Sequence, residues 1–195
     1  MRKTLVLCFI PLFLLISCAS TNKSAQNSKS QHLNKVYITN STPVSLLPPS
    51  SITQTVDSYQ YFEGKFGARS FASMLYLFAD SEKIQILMLN EMGIQIGSIT
   101  YDGVFATMES TLFPKNLKCE YILLDLQNAY ASEKSLKNHY ESYKLLFESE
   151  TLPNGESVRR IKKGSELIEE VHLGKTQIEI KNYLRKYTYI LTLAE

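Results

Sequence analysis

From residue 51 onward the chain repeats with a period of two, and this pattern constrains its fold more than any other feature. In 83–89, Ile84, Ile86 and Met88 alternate with Gln85, Leu87 and Leu89, so this segment is apolar on nearly both faces. In 176–183 the alternation is cleaner, with Ile178 and Ile180 on one face and Gln177, Glu179 and Lys181 on the other. In 187–193, Tyr187, Tyr189, Leu191 and Leu193 share a face. Side chains of a strand point alternately to opposite sides, so this rhythm marks half-buried strands of an antiparallel sheet. Turn pairs separate the segments: Glu63-Gly64, Asp102-Gly103, Asn154-Gly155, Lys163-Gly164 and Leu173-Gly174. Asn-Gly and Asp-Gly suit tight hairpins because both residues tolerate positive φ. In the C-terminal half the turns recur at the short spacing of a β-meander.

One segment breaks the period. Across 115–130, Leu117, Tyr121 and Leu124 form a helical stripe, and Cys119, Ile122, Leu123, Leu126 and Tyr130 widen it to most of the circumference. Asn116 is placed to cap this helix. A second, shorter helix is predicted over 132–140. A helix so apolar must lie against a broad surface, and the sheet supplies one. The expected fold is α+β and mostly antiparallel: a curved, half-open β-barrel with helices covering its concave face. Twelve Tyr and nine Phe, with no Trp, provide either an aromatic core or the lining of an apolar cavity.

The N-terminus reads as an address. Arg2 and Lys3 precede an apolar run from Leu5 to Leu15. That run is too short for a membrane span of ~20 residues and has the form of a signal-peptide core. It ends in Leu15-Ile16-Ser17-Cys18, which resembles a bacterial lipobox. The expectation is a signal peptide over 1–17 and acylation at Cys18. Several acyl chains on one residue hold a protein to a bilayer stably where a single chain does not. Ala19 follows in place of the Asp that retains lipoproteins in the inner membrane. The expected location is therefore the outer membrane, lipid-anchored and facing the periplasm. Residues 18–42 read as a flexible polar tether and 43–195 as a single domain.

Few features carry chemistry. His32, His139 and His172 are scattered and have no metal-ligand spacing, so neither a metal nor another cofactor is expected. No Gly-x-Ser-x-Gly, P-loop or His-Glu-x-x-His pattern occurs, and the expectation is a protein without a catalytic site. Glu148/Glu150 and Glu169/Glu170 are paired carboxylates read as solvated faces. Arg159, Arg160, Lys162 and Lys163 cluster near an expected hairpin tip, as a solubilising turn or a contact for anionic headgroups. With a net charge of +2, no nucleic-acid partner is implied. Cys119 reads as a small buried hydrophobe.

The order of parts resembles the LolB family of outer-membrane lipoprotein receptors, over roughly residues 45–195. Three stretches carry the resemblance: Leu47-Pro48-Pro49 at the start of the domain, the element from Leu89 through Tyr101-Asp102-Gly103, and Leu124-Asp125-Leu126-Gln127 in the apolar helix. The resemblance implies an apolar cavity that accepts acyl chains, lined by Leu87, Leu89, Ile99, Tyr101, Tyr121 and Leu124. It also implies a membrane-delivery loop at Met92, Gly93 and Ile94. Its expected partners are the membrane lipid that holds Cys18, an acyl-chain or lipoprotein cargo, and a periplasmic carrier protein as donor. The other reading is a structural accessory lipoprotein that docks a protein partner.

Overall fold

The computed structural model describes residues 29–32, 35–110 and 118–194. The signal stretch, Cys18, Asn116 and Leu117 lie outside the described residues.

In chain order the strands are β1 (Lys29–His32), β2 (Val36–Tyr37), β3 (Pro43–Val44), β4 (Val56–Phe66), β5 (Arg69–Ala79), β6 (Ile84–Leu89), β7 (Gln95–Tyr101) and β8 (Phe105–Ser110). Two helices follow, α1 (Cys119–Tyr130) and α2 (Glu133–Ser142). The meander then runs through β9 (Leu146–Thr151), β10 (Ser157–Lys163), β11 (Glu166–Leu173), β12 (Gln177–Asn182) and β13 (Tyr187–Leu193).

Eleven strands form one sheet in the order β1-β8-β7-β6-β5-β4-β13-β12-β11-β10-β9, while β2 and β3 pair separately. Every ladder is antiparallel. The sheet is open, with β1 and β9 at its edges. Its curvature follows from α1, which touches β8 near one edge and β11 and β12 near the other. A single helix reaches both wings only if the sheet curls around it.

The pleat divides each strand. On β6 the buried residues are Ile84, Ile86 and Met88. They stand beside Leu75, Leu77 and Ala79 of β5 and Ile99 and Tyr101 of β7, all nearly inaccessible to solvent. Burial of apolar area at ~25 cal/mol per Å² drives this face onto the helices. Ser132 caps α2, its hydroxyl accepting from the Ser135 amide at 3.2 Å, as Ser does at helix starts. Lys118 precedes α1 and makes no side-chain cap.

Two sequence expectations are corrected. The packed domain reaches back beyond residue 43, because Val36, Ile38 and Val44 are in the core. The segment 35–52 forms a strap that touches α1 and is also bonded to Tyr101 of β7 and Lys163 of β10. Gln127 fastens it, donating to the Leu47 carbonyl at 2.6 Å and accepting from the Leu47 amide at 2.9 Å. This second cover explains why α1 is apolar nearly all round. The Glu63-Gly64 pair is not a turn: both residues lie within β4, and the hairpin closes at Gly67, whose φ is +58°. The basic residues Arg159, Arg160, Lys162 and Lys163 all belong to β10, whose end at Lys163 leads directly into the Gly164 turn.

Candidate functional site

The inward residues of β4, β13 and β12 form the floor of a trough beneath α1. At one end stand Phe66, Phe71, Tyr187 and Tyr189, with Phe62 behind them. Their rings meet edge-on, tilted or stacked at centroid separations of 4.8 to 5.8 Å. Aromatic pairs at these distances are mutually attractive. Gly64 makes the arrangement possible. The Phe71 ring lies directly over its Cα, where any Cβ would collide with the ring atoms. Phe66 and Phe71 nonetheless remain 37% and 41% exposed, so they form a mouth rather than a sealed core.

Inward from the mouth lies an apolar hollow. Phe62, Leu75, Met88, Ile99 and Tyr189 contribute from the sheet, and Ile122 and Leu126 from α1. Its volume is about 30 Å³, little more than room for one water. In the described conformation α1 therefore fills the space that a cargo would need.

The expected lining residues separate. Ile99 borders the hollow. Leu87 and Leu89 do not, because they alternate with Ile86 and Met88 and so face the opposite side of the sheet. Tyr101 is buried and acts structurally, donating to the Leu47 carbonyl at 3.0 Å to hold the strap. Burial, followed by the nearby Asp102 charge, pushes its hydroxyl pKa up to about 12. Leu124 is core. Tyr121 carries the Arg185 guanidinium 4.5 Å above its ring and accepts from it at 3.3 Å. Met88, Phe62 and Leu126 would have been legible as lining had the strand register been fixed first.

The loop expectation lands on an exposed tip. Met92 is 79% and Ile94 56% exposed. Asn90 Oδ1 accepts from both their amides at 3.0 and 2.9 Å, and Gly93 takes φ +74°. Register places this loop at the end of the sheet that carries the aromatic mouth. Met74 pairs with Leu89 just before the loop, and β5 continues past it to Phe71 and the Gly67 turn.

Asp125 also borders the hollow, and it belongs to a buried polar network that sequence reasoning missed. Tyr187 donates to its two carboxyl oxygens at 2.9 and 2.8 Å. Glu169, taken above for a solvated residue, is 1% exposed. It accepts from Asn128 at 2.7 Å and from Asn182 at 3.0 Å, while Tyr140 donates to Asn128 at 2.5 Å. The Asp125 and Glu169 carboxyls hydrogen-bond to each other. Burial, reinforced by the Glu169 charge, raises the Asp125 pKa well above the usual range. Burial raises Glu169 too, against three hydrogen bonds that favour its charge. Both carboxyls are thus pushed above the ordinary carboxylate range, because two like charges repel strongly in a low-dielectric interior.

The basic residues of β10 have separate duties. Arg159 is buried and donates to the Asn128, Ala129 and Ala131 carbonyls at 2.8 to 3.0 Å, closing the C-terminus of α1. Arg160 pairs with Glu150 and Glu170, and Lys162 with Glu148. Lys163 binds the Ser41 and Thr42 hydroxyls of the strap. Of the four, only Lys163 is exposed and without an acidic partner among the described residues. Cys119 is buried, and desolvation followed by the adjacent Glu120 charge pushes its thiol up to about 12. Its nucleophilic thiolate is scarce at neutral pH. Among the described residues no group of three or more His, Cys, Asp or Glu could hold a metal ion. No helix among them is long and apolar enough to cross a membrane.

Residues 57–195 match the model of the family described as "Protein of unknown function (DUF3261)". The chain belongs to this family. The match begins one residue into β4 and runs through Glu195, so the matched residues of this DUF3261 protein include the strands from β4 onward, save the first residue of β4, and both helices. Among curated proteins none matches it.

Proposed function

We propose that this DUF3261 protein is an outer-membrane lipoprotein, similar in role to the LolB family. Held by acylated Cys18 and facing the periplasm, it would bind acyl chains between sheet and α1 and take part in lipid or lipoprotein transfer without changing covalent bonds. The observation that supports this most is the half-exposed aromatic mouth opening onto an apolar hollow under a helix. Apolar burial would supply the driving force at ~25 cal/mol per Å². The hollow is small, so a chain enters by displacing α1 from the floor and taking over its apolar contacts. Met92 and Ile94 stand at the mouth end, where an apolar tip would meet the acyl region of a bilayer.

Residues 19–195 contain every described residue. Native mass spectrometry of this segment, before and after mixing with diacyl lipids and a lipopeptide, tests the reading. Retained acyl species are expected, with at least tenfold less retention in Phe71→Glu, whose charge would sit in the mouth. A protein that takes up nothing would defeat acyl binding. In the intact chain, Cys18→Ser should abolish metabolic labelling with a fatty acid and release from the membrane fraction should follow.

One observation favours the accessory role instead. The convex face of the sheet carries Tyr59 and Tyr61, 52% and 54% exposed, and across the ladders Tyr76, Leu87 and Leu89. If no acyl chain is retained, this face becomes the docking surface for a protein partner.

A further inference from the structure

The trough does not end at the apolar hollow. Along β4 the inward residues change character after Phe62, the next two toward the strand start being Gln60 and Ser58. Leu193 of β13 stands beside Gln60. Here a second cavity of about 200 Å³ opens, and it shares the Leu191 wall with the hollow. Ser58, Gln60, Tyr130 and Lys175 supply its polar lining together with Thr176 and Gln177; among the described residues no carboxylate is in the lining, and Glu156 stands behind Gly174.

The polar atoms are arranged as donors. Gln60 is 2% exposed, and its Nε2 donates to Ser58 Oγ at 2.9 Å and to Tyr130 Oη at 3.0 Å. Both amide hydrogens are thereby used. Each hydroxyl is held as an acceptor, leaving its own hydrogen to be directed elsewhere. The return contact from Tyr130 to Gln60 Oε1 is stretched to 3.4 Å, beyond the ordinary O–H···O range of about 2.5–3.0 Å. Lys175, exposed on the β11–β12 turn, forms no ion pair among the described residues. Two hydroxyls held by Gln60 and the exposed Lys175 thus line one cavity beside the apolar hollow.

We infer that this cavity is a head-group site, which takes an oxyanion (carboxylate or phosphate) at the end of an acyl chain whose tail runs through the hollow toward the aromatic mouth. An oxyanion offers only acceptors, the complement of this donor set, and its hydrogen bonds are charge-assisted. The inference rests on the acyl-binding reading and adds the polarity of the ligand and its direction in the trough. The chain lies head inward past Gln60, with its tail end at Phe66 and Phe71.

Titration calorimetry on residues 19–195 tests the site with four probes: palmitate, a monoacyl phosphatidate, a neutral monoacylglycerol and inorganic phosphate. The two anionic amphiphiles should bind tighter than the monoacylglycerol, and inorganic phosphate alone should give no measurable heat. Lys175→Glu, an exposed change that leaves the core intact, should weaken both anionic amphiphiles by about tenfold and leave the monoacylglycerol within about twofold. Tyr130→Phe should act in the same sense. Uptake of all three acyl compounds with no response to Lys175→Glu overturns the head-group site alone. So does phosphate binding that is indifferent to an attached chain. Uptake of none of them overturns the acyl-binding reading and the site with it.

Discussion

Glu169 and Glu170 are neighbours on β11 with opposite fates. Glu169 points inward, among Asn128, Asn182 and Asp125, with no cation bonded to it among the described residues. Glu170 points outward, where Arg160 donates to it at 2.6 Å and His172 lies at 2.9 Å. Burial pushes the Glu170 pKa up, but His172 and Arg160 together outweigh it and hold the carboxyl below its ordinary value. The two residues therefore couple folding to pH with opposite signs. A carboxyl whose pKa is lowered by folding contributes stability that is present at neutral pH and lost as acid protonates it. A carboxyl pair whose pKa is raised by folding binds protons more tightly in the native state. Its contribution falls as pH rises above the ordinary carboxylate value of about 4, until the folded pair itself ionises. One pleat separates a group that resists alkali poorly from one that resists acid poorly.

The largest expected effect comes from breaking the inner side of this comparison. Glu169→Ala removes the acceptor of two buried amides and leaves Asp125 without its partner. Each unpaired buried group costs about 1–3 kcal/mol, so a loss of roughly 3 kcal/mol is expected in urea unfolding at pH 7. A loss below about 1 kcal/mol would mean that water reaches the network.

Asp125→Asn sharpens the comparison without destroying it. The amide mimics the protonated carboxyl, accepting from Tyr187 and donating to Glu169, which then ionises alone among donors. Wild-type stability should decline as pH rises above about 4, by up to about 1.4 kcal/mol per pH unit, for as long as the folded pair binds more protons than the unfolded chain. The variant should lose most of that slope. An unchanged slope would show that protonation of the pair does not couple to folding.

How much of this was legible depends on what each residue's signal measures. The alternation of Ile84, Ile86 and Met88, and of Tyr187, Tyr189 and Leu191, announced the strands because burial on one face leaves a period in the sequence. The apolar circumference of α1 announced a helix lying against a broad surface, for which the sheet alone was the expected cover. It did not identify the strap 35–52 as the second cover, since Val36, Ile38 and Val44 are too few and too spread among polar residues to show a period. Gly64 was read as a turn because glycine most often signals positive φ, whereas here it clears space beneath Phe71. Glu169 was read as solvated because a Glu-Glu pair carries no mark of which member faces inward. That choice needs the register against Asn182 and the position of Asn128 on α1, both fixed by contacts distant in the chain. Leu87 and Leu89 failed as lining for the related reason that β6 is apolar on both faces, so composition alone could not select the concave one.

The smallest effect tests the outer side of the comparison. Glu170→Gln keeps the shape of the residue and removes its charge, leaving Arg160 with Glu150 as its remaining acid. Glu170 and Arg160 are 14% and 26% exposed at the side chain, so the pair is neither buried enough to carry a large desolvation penalty nor open enough to be wholly screened. A loss of about 0.5–1 kcal/mol at pH 7 is expected. It should shrink when salt is raised to 1 M, where the screening length falls to about 3 Å. It should also fade as pH drops through the lowered pKa of the wild-type carboxyl, below which the two proteins become electrostatically alike. The inner pair predicts no such convergence, because Asp125→Asn should differ most from wild type in alkali. If Glu170→Gln instead cost several kcal/mol independently of salt, the β9–β11 face would be a desolvated interface, and its charge ladder would belong to a docking surface rather than to solvent.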